Sequence, residues 1–155
     1  MKNKKLIFLI DVDGVMTTGQ FIYSKLGKIA KIFGPHDSDG LKLLKNKINI
    51  EFITADKRGF KISRKRIVHD LGFKLHLVDE TKRLEFIKKK YGLKNVIYMG
   101  DGIFDSEILK KVLYGIAPRN ARPEAKKNSN FVTKNNSAEG AVLDACLNIK
   151  KKFLT

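Results

Sequence analysis

The stretch Leu6-Ile7-Phe8-Leu9-Ile10-Asp11-Val12-Asp13-Gly14 decides the fold, because five apolar residues in succession run directly into two acids and a glycine. A short, nearly continuous apolar run is typical of a strand that is buried on both faces of a parallel sheet. Asp11 and Asp13 stand two residues apart, so their carboxylates point the same way in an extended chain. We therefore predict a strand over Leu6–Val12 with a polar site at its carboxyl end.

Apolar strands continue to alternate with helices of about 10–15 residues along the chain, which predicts βαβ units. The expected fold class is α/β, a doubly wound, Rossmann-like parallel sheet with helices on both faces and a protruding β-hairpin flap at about residues 19–34. The other sheet strands are expected at Ile50–Thr54, Leu75–Val78, Val96–Met99, Gly115–Ala117 and Phe131–Val132. Helices are expected at Leu41–Lys47, Gly59–Leu71, Thr81–Tyr91, Ser106–Val112, from Pro123, and at Glu139–Phe153. The hairpin joins Gln20–Ser24 to Lys28–Phe33 through a turn at Leu26-Gly27.

The length and composition predict one folded domain over residues 1–155, since 43 % of the 155 residues are hydrophobic. The single cysteine, Cys146, excludes an internal disulfide framework and favours a reducing, cytoplasmic location. Cys146 follows the apolar pattern of the last helix and is expected in the core. No apolar run approaches the roughly 18 residues of a membrane span, and acids interrupt the run behind the basic start at 1–5. We expect neither a membrane anchor nor a signal peptide.

The net charge of +16 at first suggests an anionic partner. However, 26 of the 32 cationic residues are lysine and only 6 are arginine, whereas surfaces dedicated to phosphate favour the arginine fork. No aromatic pattern accompanies the densest basic run, at residues 57–66, as single-strand binding would require. We therefore expect a solvated basic surface that favours small anionic substrates, with nucleic acid kept only as an alternative.

A second acidic cluster, with Asp101 and Asp105, follows the strand predicted at Val96–Met99. The carboxyl ends of parallel strands meet at one edge of the sheet, where ligands bind in such folds. Carboxylates gathered there suit a hard cation such as Mg²⁺. Thr54 ends the core strand Ile50–Thr54. Lys82 lies at the start of a helix just beyond the following strand, Leu75–Val78. A metal, a hydroxyl and an ammonium at one edge would form a clamp for a phosphoryl group.

These residues carry a family resemblance. The set Asp11-x-Asp13-Gly14, Thr54, Lys82 and Gly100-Asp101-x-x-x-Asp105 resembles, in order and separation, the four signature motifs of the haloacid dehalogenase superfamily. The chain is similar in particular to the capless sugar-phosphatase branch, which contains octulosonate-phosphate phosphatases and the phosphatase-like domain of acylneuraminate cytidylyltransferases. The similarity extends from Leu6 to about Leu147. It includes the segments Val15-Met16-Thr17, Asp37-Ser38-Asp39-Gly40-Leu41-Lys42-Leu43-Leu44 and Gly140-Ala141-Val142.

The resemblance implies a phosphoric monoester hydrolase that needs Mg²⁺ and acts on a small sugar or sugar-acid phosphate of the octulosonate or nonulosonate type. It implies that Asp11 is the nucleophile, which forms an aspartyl-phosphate intermediate. Asp13 would be the general acid for the leaving alcohol and then the general base for water. Asp11, Asp13 and Asp101 would hold the metal, Asp13 through its backbone carbonyl. Asp105 would support them by orienting the metal ligands or Lys82.

Substrate binding is the second set of roles that the resemblance implies. Thr54 and Lys82 would hold the transferring phosphoryl oxygens and belong to the catalytic group. The complete set of expected substrate-binding residues is Thr54, Ala55, Lys57, Arg58, His36 and Lys82. His36 has an equally good interpretation as an ordinary loop residue, with Ser38 or Asp39 as the cap of the following helix.

The chain departs from the family pattern at positions that contact the leaving group. Ala55-Asp56 stands where the octulosonate phosphatases usually have Gly-Arg, His36 where they have Arg, and Ser137-Ala138-Glu139 where they have Gly-Gly-Arg. Gly102 stands where they often have Asp. We therefore expect the phosphate chemistry to be retained and the recognition of the leaving group to be changed.

The resemblance also implies a homotetramer in which hairpins from neighbouring subunits pair and cover the open pockets. Two other functions stay open. The chain could be a non-catalytic domain that supports oligomerisation in nucleotide-sugar biosynthesis, or a phosphatase that acts on nucleic-acid ends.

Overall fold

A computed structural model describes residues 3–154, with side chains described for residues 5–154. The strands are β1 Asn3–Asp11, β2 Thr17–Ser24, β3 Gly27–Phe33, β4 Ile48–Thr54, β5 Lys74–Leu77, β6 Val96–Met99, β7 Tyr114–Ala117 and β8 Phe131–Val132. The helices are α1 His36–Leu44, α2 Phe60–Arg64, α3 Arg83–Tyr91, α4 Asp105–Lys111, α5 Pro123–Asn128 and α6 Ala141–Phe153. Part of the basic start at residues 1–5, on which the expectation about a signal peptide depends, lies outside the described residues.

Six strands form one parallel sheet in the order β5-β4-β1-β6-β7-β8, while β2 and β3 form a separate antiparallel hairpin. β1 lies in the centre because its residues are apolar on both faces. Phe8 and Ile10 pack with α1 and α6 on one face, and Ile7 and Leu9 pack with α3, α4 and α5 on the other. The predicted α/β fold with helices on both faces and a protruding hairpin is confirmed.

The helix boundaries differ from the sequence prediction at several places. α1 begins at His36 rather than Leu41, and the expected cap at Ser38 or Asp39 is wrong because both lie inside the helix. Instead, the buried carboxylate of Asp37 reaches α6 and accepts hydrogen bonds from the amides of Val142 and Leu143 at 2.9 and 3.2 Å. A contact between residues more than a hundred positions apart leaves no local signal in the sequence, so this role of Asp37 was not predicted.

The helix predicted over Gly59–Leu71 is also divided. It consists of the short α2 followed by a wider π-helical turn at Lys65–Asp70. Cys146 is buried in the core between α6 and α1, where Gly40 allows the two helices to approach closely. Among residues 3–154, no helix has the length and apolar character needed to cross a membrane.

Candidate active site

Three parallel strands deliver polar residues to one edge of the sheet. Asp11 is the last residue of β1, Thr54 is the last residue of β4, and Asp101 follows β6 by one glycine. Asp11 pairs with Ile53 and Ile10 pairs with Met99, so the three strand ends are in register. A cavity of about 270 Å³ opens there. It is lined by Asp11, Asp13, Phe21, Lys28, Thr54, Ala55, Asp56, Glu80 and Arg83.

Asp11, Asp101 and Asp105 form an acidic group, with one carboxylate oxygen of each residue within 4.8 Å of the others. Burial, followed by the neighbouring carboxylates, raises the pKa of Asp101 to about 6. Burial likewise raises the pKa of Asp11 well above its usual value, against the opposing charge of Arg83. Carboxylates crowded in this way favour a bound cation, and an oxygen-only ligand set fits Mg²⁺.

Gly14 brings the backbone close to this acidic group. Its φ angle is +83°, which favours glycine, and a Cβ atom at this position would overlap the carboxylate of Asp101. The glycine of the Asp-x-Asp-Gly sequence is therefore needed for Asp101 to lie beside Asp11.

Both carboxylate oxygens of Asp105 accept hydrogen bonds from neighbouring protein groups. Oδ2 accepts hydrogen bonds from the amides of Asp101 and Gly102 at 3.0 and 2.8 Å. Oδ1 accepts from the Tyr98 hydroxyl at 2.5 Å and from the Arg83 guanidinium at 3.1 Å. Asp105 is therefore placed to fix the Asp101 loop and Arg83, while its expected role in orienting the metal ligands or Lys82 stays a prediction.

The buried cation that contacts the acidic group is Arg83. Its Nη1 lies 3.3 Å from Asp11 Oδ1 and donates to the Tyr98 hydroxyl at 2.9 Å. Burial opposes its charge, but Tyr98, Asp11 and Asp105 outweigh that effect and raise the pKa of the guanidinium. Lys82, which the sequence predicts in this position, is exposed instead. The cation beside the acids thus lies one residue later than predicted, because α3 begins at Arg83 and turns that side chain towards the sheet edge. The role of Lys82 in holding the phosphoryl group stays a prediction.

The carboxylate of Asp13 faces the hairpin and not the acidic group. The ammonium of Lys31, on β3, lies 2.9 Å from Asp13 Oδ1 and 2.8 Å from Asp56 Oδ2. The acidic group of side chains thus consists of Asp11, Asp101 and Asp105. The expected metal set of Asp11, Asp13 and Asp101 uses the backbone carbonyl of Asp13, so it stays a prediction. Lys31 could not be predicted as a site residue, because the usual burial pattern is reversed on this strand: Lys31 is buried whereas Ile29 and Ile32 are exposed.

Three neighbouring groups stabilise the ionised form of the Asp56 carboxyl group. Burial alone would raise the pKa of this carboxyl, but hydrogen bonds from the Lys28 and Lys31 ammonium groups and the Gly59 amide lower it to about 2. Lys28 Nζ lies 2.8 Å from Asp56 Oδ2 and 3.3 Å from the centre of the Phe21 ring. The hairpin is thus joined to the chain after β4 by ion pairs at the cavity wall.

The remaining predicted residues are distributed between the cavity and its surroundings. Thr54 is buried at the cavity floor, with its Oγ1 accepting from the amide of Asp56 at 3.2 Å. Lys57 and Arg58 line an adjoining cavity of about 320 Å³ that shares Lys28, Ala55 and Asp56 with the first. His36 is exposed at the start of α1 and lines neither of these two cavities.

Comparison with known proteins gives similarities of sequence. A family model described as haloacid dehalogenase-like hydrolase matches residues 78–145. The chain is 27 % identical over 148 residues to 3-deoxy-D-manno-octulosonate 8-phosphate phosphatase of Salmonella typhi, covering 90 % of this chain and 76 % of the relative. It is 28 % identical over 150 residues to the enzyme of the same name from Escherichia coli strain K12, with the same two coverages.

Solved structures are similar over nearly the whole chain. The structure of 3-deoxy-D-manno-octulosonate 8-phosphate phosphatase from Moraxella catarrhalis, in complex with magnesium ion, phosphate ion and KDO, has a TM-score of 0.82 at 29 % identity. The comparison covers 97 % of this chain and 87 % of the other. The cobalt-bound enzyme from Haemophilus influenzae gives 0.79 at 25 % identity, over 96 % and 88 %.

Proposed function

Because this chain is a hydrolase of the haloacid dehalogenase superfamily that resembles the 3-deoxy-D-manno-octulosonate 8-phosphate phosphatases, we propose that it is a Mg²⁺-dependent phosphatase. Its substrate would be the phosphate monoester of a small sugar or sugar acid, cleaved through an aspartyl-phosphate on Asp11. The observation that carries the proposal is the meeting of Asp11, Asp101, Asp105 and Arg83 at the carboxyl edge of the sheet. We further propose that residues 1–155 act as one catalytic domain.

The residues of the chain divide the reaction into two steps. An Asp11 carboxylate oxygen attacks phosphorus, the bond from phosphorus to the leaving oxygen breaks, and Asp13 gives that oxygen its proton. Asp13, now a carboxylate, then takes a proton from water as this water attacks phosphorus and releases Asp11. Thr54 and Arg83 would hold the phosphoryl oxygens during both steps.

The metal would be held by Asp11, Asp101 and the backbone carbonyl of Asp13. When bound, Mg²⁺ supplies positive charge that stabilises the phosphoryl oxygens and lets Asp11 and Asp101 ionise together. Asp105 would keep Asp101 and Arg83 in place through the hydrogen bonds described above. We propose Mg²⁺ as the cofactor on this ligand chemistry.

The leaving group would occupy the adjoining cavity beside Lys57 and Arg58. Two exposed cations, Lys57 and Arg58, line its wall together with the exposed carboxylate of Asp79, and Asp56 already pairs with Lys28, so this wall carries charges of both signs. We infer that a different contact than in the octulosonate phosphatases recognises the sugar or sugar acid, since Asp56 stands where those enzymes usually have an arginine. A cytoplasmic location is part of the proposal and is tested by cell fractionation.

The hairpin supports a proposal about assembly. Tyr23, Leu26 and Ile29 are 56 %, 90 % and 55 % exposed, although all three are apolar or aromatic. We propose that these residues pair with a hairpin of another copy in a homotetramer, which would cover the cavity mouths.

The experiment that tests the function is Mg²⁺-dependent phosphate release across a panel of octulosonate, nonulosonate, hexose and nucleotide phosphates. We expect turnover with a sugar phosphate or sugar-acid phosphate, loss of turnover with EDTA, and none with Asp11→Asn. A protein that releases no phosphate from any member of the panel with Mg²⁺ present would support a non-catalytic domain instead. Preference for a phosphorylated oligonucleotide would support the nucleic-acid alternative.

A further inference from the structure

Lys31 is a buried lysine on a hairpin whose apolar side chains are largely exposed. Its side chain is 0 % exposed, whereas Ile29 and Ile32 on the same strand are 55 % and 46 % exposed. Burying an ammonium is costly unless its charge and its hydrogen bonds are both satisfied. Burial of the Lys31 ammonium therefore carries a desolvation cost that its contacts at the catalytic cavity must offset.

The Lys31 ammonium has three acceptors for its three N–H bonds. It donates to Asp13 Oδ2 at 3.1 Å and to Ser63 Oγ at 2.7 Å, and Asp56 Oδ2 lies 2.8 Å away. With every donor engaged, the ammonium has no N–H bond left to bind a phosphoryl oxygen. Its position suits the orientation of Asp13 better than the binding of substrate.

Both carboxylate oxygens of Asp13 contact the Lys31 ammonium. Oδ2 accepts a hydrogen bond from it at 3.1 Å. Oδ1 lies nearer, 2.9 Å from the same ammonium, in a salt bridge. The hairpin thus holds the whole carboxylate of Asp13 through one buried side chain.

We propose that Lys31 is a positioning residue, which the hairpin supplies to hold the Asp13 carboxyl group in place for proton transfer to the leaving oxygen. The proposal rests on the proposed phosphatase function, in which Asp13 is the proton donor. In the first step the proton moves from the Asp13 carboxyl group to the leaving oxygen as the phosphorus–oxygen bond breaks, and the electron pair of that bond stays on the oxygen. Lys31 keeps its own protons throughout.

The test compares two aryl esters that differ mainly in the need for a proton. Phenyl phosphate has a poor leaving group and depends on Asp13, whereas p-nitrophenyl phosphate has a good one that leaves as an anion. We expect Lys31→Met to lower kcat/KM for phenyl phosphate by about 10²-fold, the scale of one general acid, and to change it for p-nitrophenyl phosphate by less than about 3-fold. With both esters kcat falls, because water attack still needs Asp13.

Lys28→Met is the matched control, because Lys28 is also a buried hairpin lysine paired with Asp56 but forms no ion pair with Asp13 among the described residues. We expect this variant to change kcat/KM for the two esters by the same factor. An equal loss for both esters in Lys31→Met would show that Lys31 binds phosphate or only stabilises the fold, and would overturn the proposal.

A milder variant keeps the test valid if Lys31→Met does not fold, which circular dichroism would reveal. Ser63→Ala removes one acceptor of the ammonium and leaves both ion pairs. We expect a smaller loss that is again larger for phenyl phosphate, and a ratio of the two esters equal to wild type would overturn the proposal. If the wild-type protein releases phosphate from neither aryl ester nor any sugar phosphate, the phosphatase function itself fails.

Discussion

At the scale of single residues, the site depends on which of two adjacent cations faces the acids. Arg83 Nη1 lies 3.3 Å from Asp11 Oδ1 and 3.1 Å from Asp105 Oδ1, and its side chain is 6 % exposed. Lys82, its neighbour, is exposed to solvent. A guanidinium in a buried site stabilises developing charge more than a solvated ammonium does, because the local dielectric is low and its planar fork is fixed.

We therefore predict that Arg83→Met lowers kcat/KM for phosphate esters by about 10²–10³-fold, the scale expected when a buried group loses contact with developing charge. Lys82→Met, the same substitution one residue earlier, is expected to lower it by less than about 3-fold, the scale of an exposed charge. Steady-state kinetics with Mg²⁺ measures both. A larger loss in Lys82→Met than in Arg83→Met would return the role to Lys82.

At the scale of structural elements, Asp37 joins the two helices that cover one face of the sheet. Its Oδ1 accepts from the Val142 and Leu143 amides at the start of α6, while the residue itself belongs to α1. A carboxylate at a helix N-terminus accepts hydrogen bonds from the free amides and interacts favourably with the positive end of the helix dipole. Asp37 is fully buried, so loss of its carboxylate would leave these amides without a partner or water.

We predict that Asp37→Ala lowers the free energy of unfolding by about 1–3 kcal/mol, the cost of losing a buried helix cap. Asp39→Ala is the control, since Asp39 lies on the same helix and its ion pair within the described part of the chain is an exposed 3.7 Å contact with Lys42. That variant is expected to change the free energy by less than about 0.5 kcal/mol. Urea unfolding measures both, and equal effects would rule out the cap.

The hairpin is the other element with a measurable contribution. Asp56, bound by Lys28 and Lys31, has a pKa lowered from 3.8 to about 2, so its carboxylate stabilises the folded chain above pH 3.8. That stabilisation is lost as the pH falls towards about 2, because the folded state then takes up the proton that the unfolded state already holds.

We predict that the melting temperature of the wild type falls more steeply with acid than that of Asp56→Asn. Asp70→Asn is the control, because Asp70 forms an ion pair of similar length, 2.9 Å with Lys65, on the exposed surface. Exposed pairs contribute little, so its acid profile is expected to follow the wild type. Parallel profiles for the wild type and Asp56→Asn would contradict the hairpin ion pairs.

At the scale of the whole molecule, the strands and the position of the site could be predicted from local sequence patterns. Side chains whose roles depend on contacts with distant segments could not. The apolar run before Asp11 predicts the central strand, and the acids after β1 and β6 predict the edge where they meet. Lys31 and Asp37 have no such signal, because their partners lie in segments far along the chain. Arg83 could have been predicted, since it directly follows Lys82 and differs from it only in where the helix begins.

The assembly of the molecule is also testable. We predict that the double variant Tyr23→Lys and Ile29→Lys has the mass of one chain in light scattering, while the wild type has the mass of four. Charges at two exposed positions of the hairpin would be costly in a buried interface. Leu147→Lys, at an apolar residue of α6 that is 49 % exposed, is expected to keep the wild-type mass. A monomeric wild type would contradict the pairing of hairpins.

The central claim, an aspartyl-phosphate on Asp11, is tested most directly by the mass of acid-quenched protein. The Asp13→Asn variant is mixed with p-nitrophenyl phosphate and Mg²⁺, because the good leaving group needs no proton while water attack lacks its base. We predict one added phosphoryl group, on the peptide that contains Asp11, and none when Asp11→Asn is also present. Phosphate release without any covalent phosphoryl group, or labelling that persists with Asp11→Asn, would contradict the account.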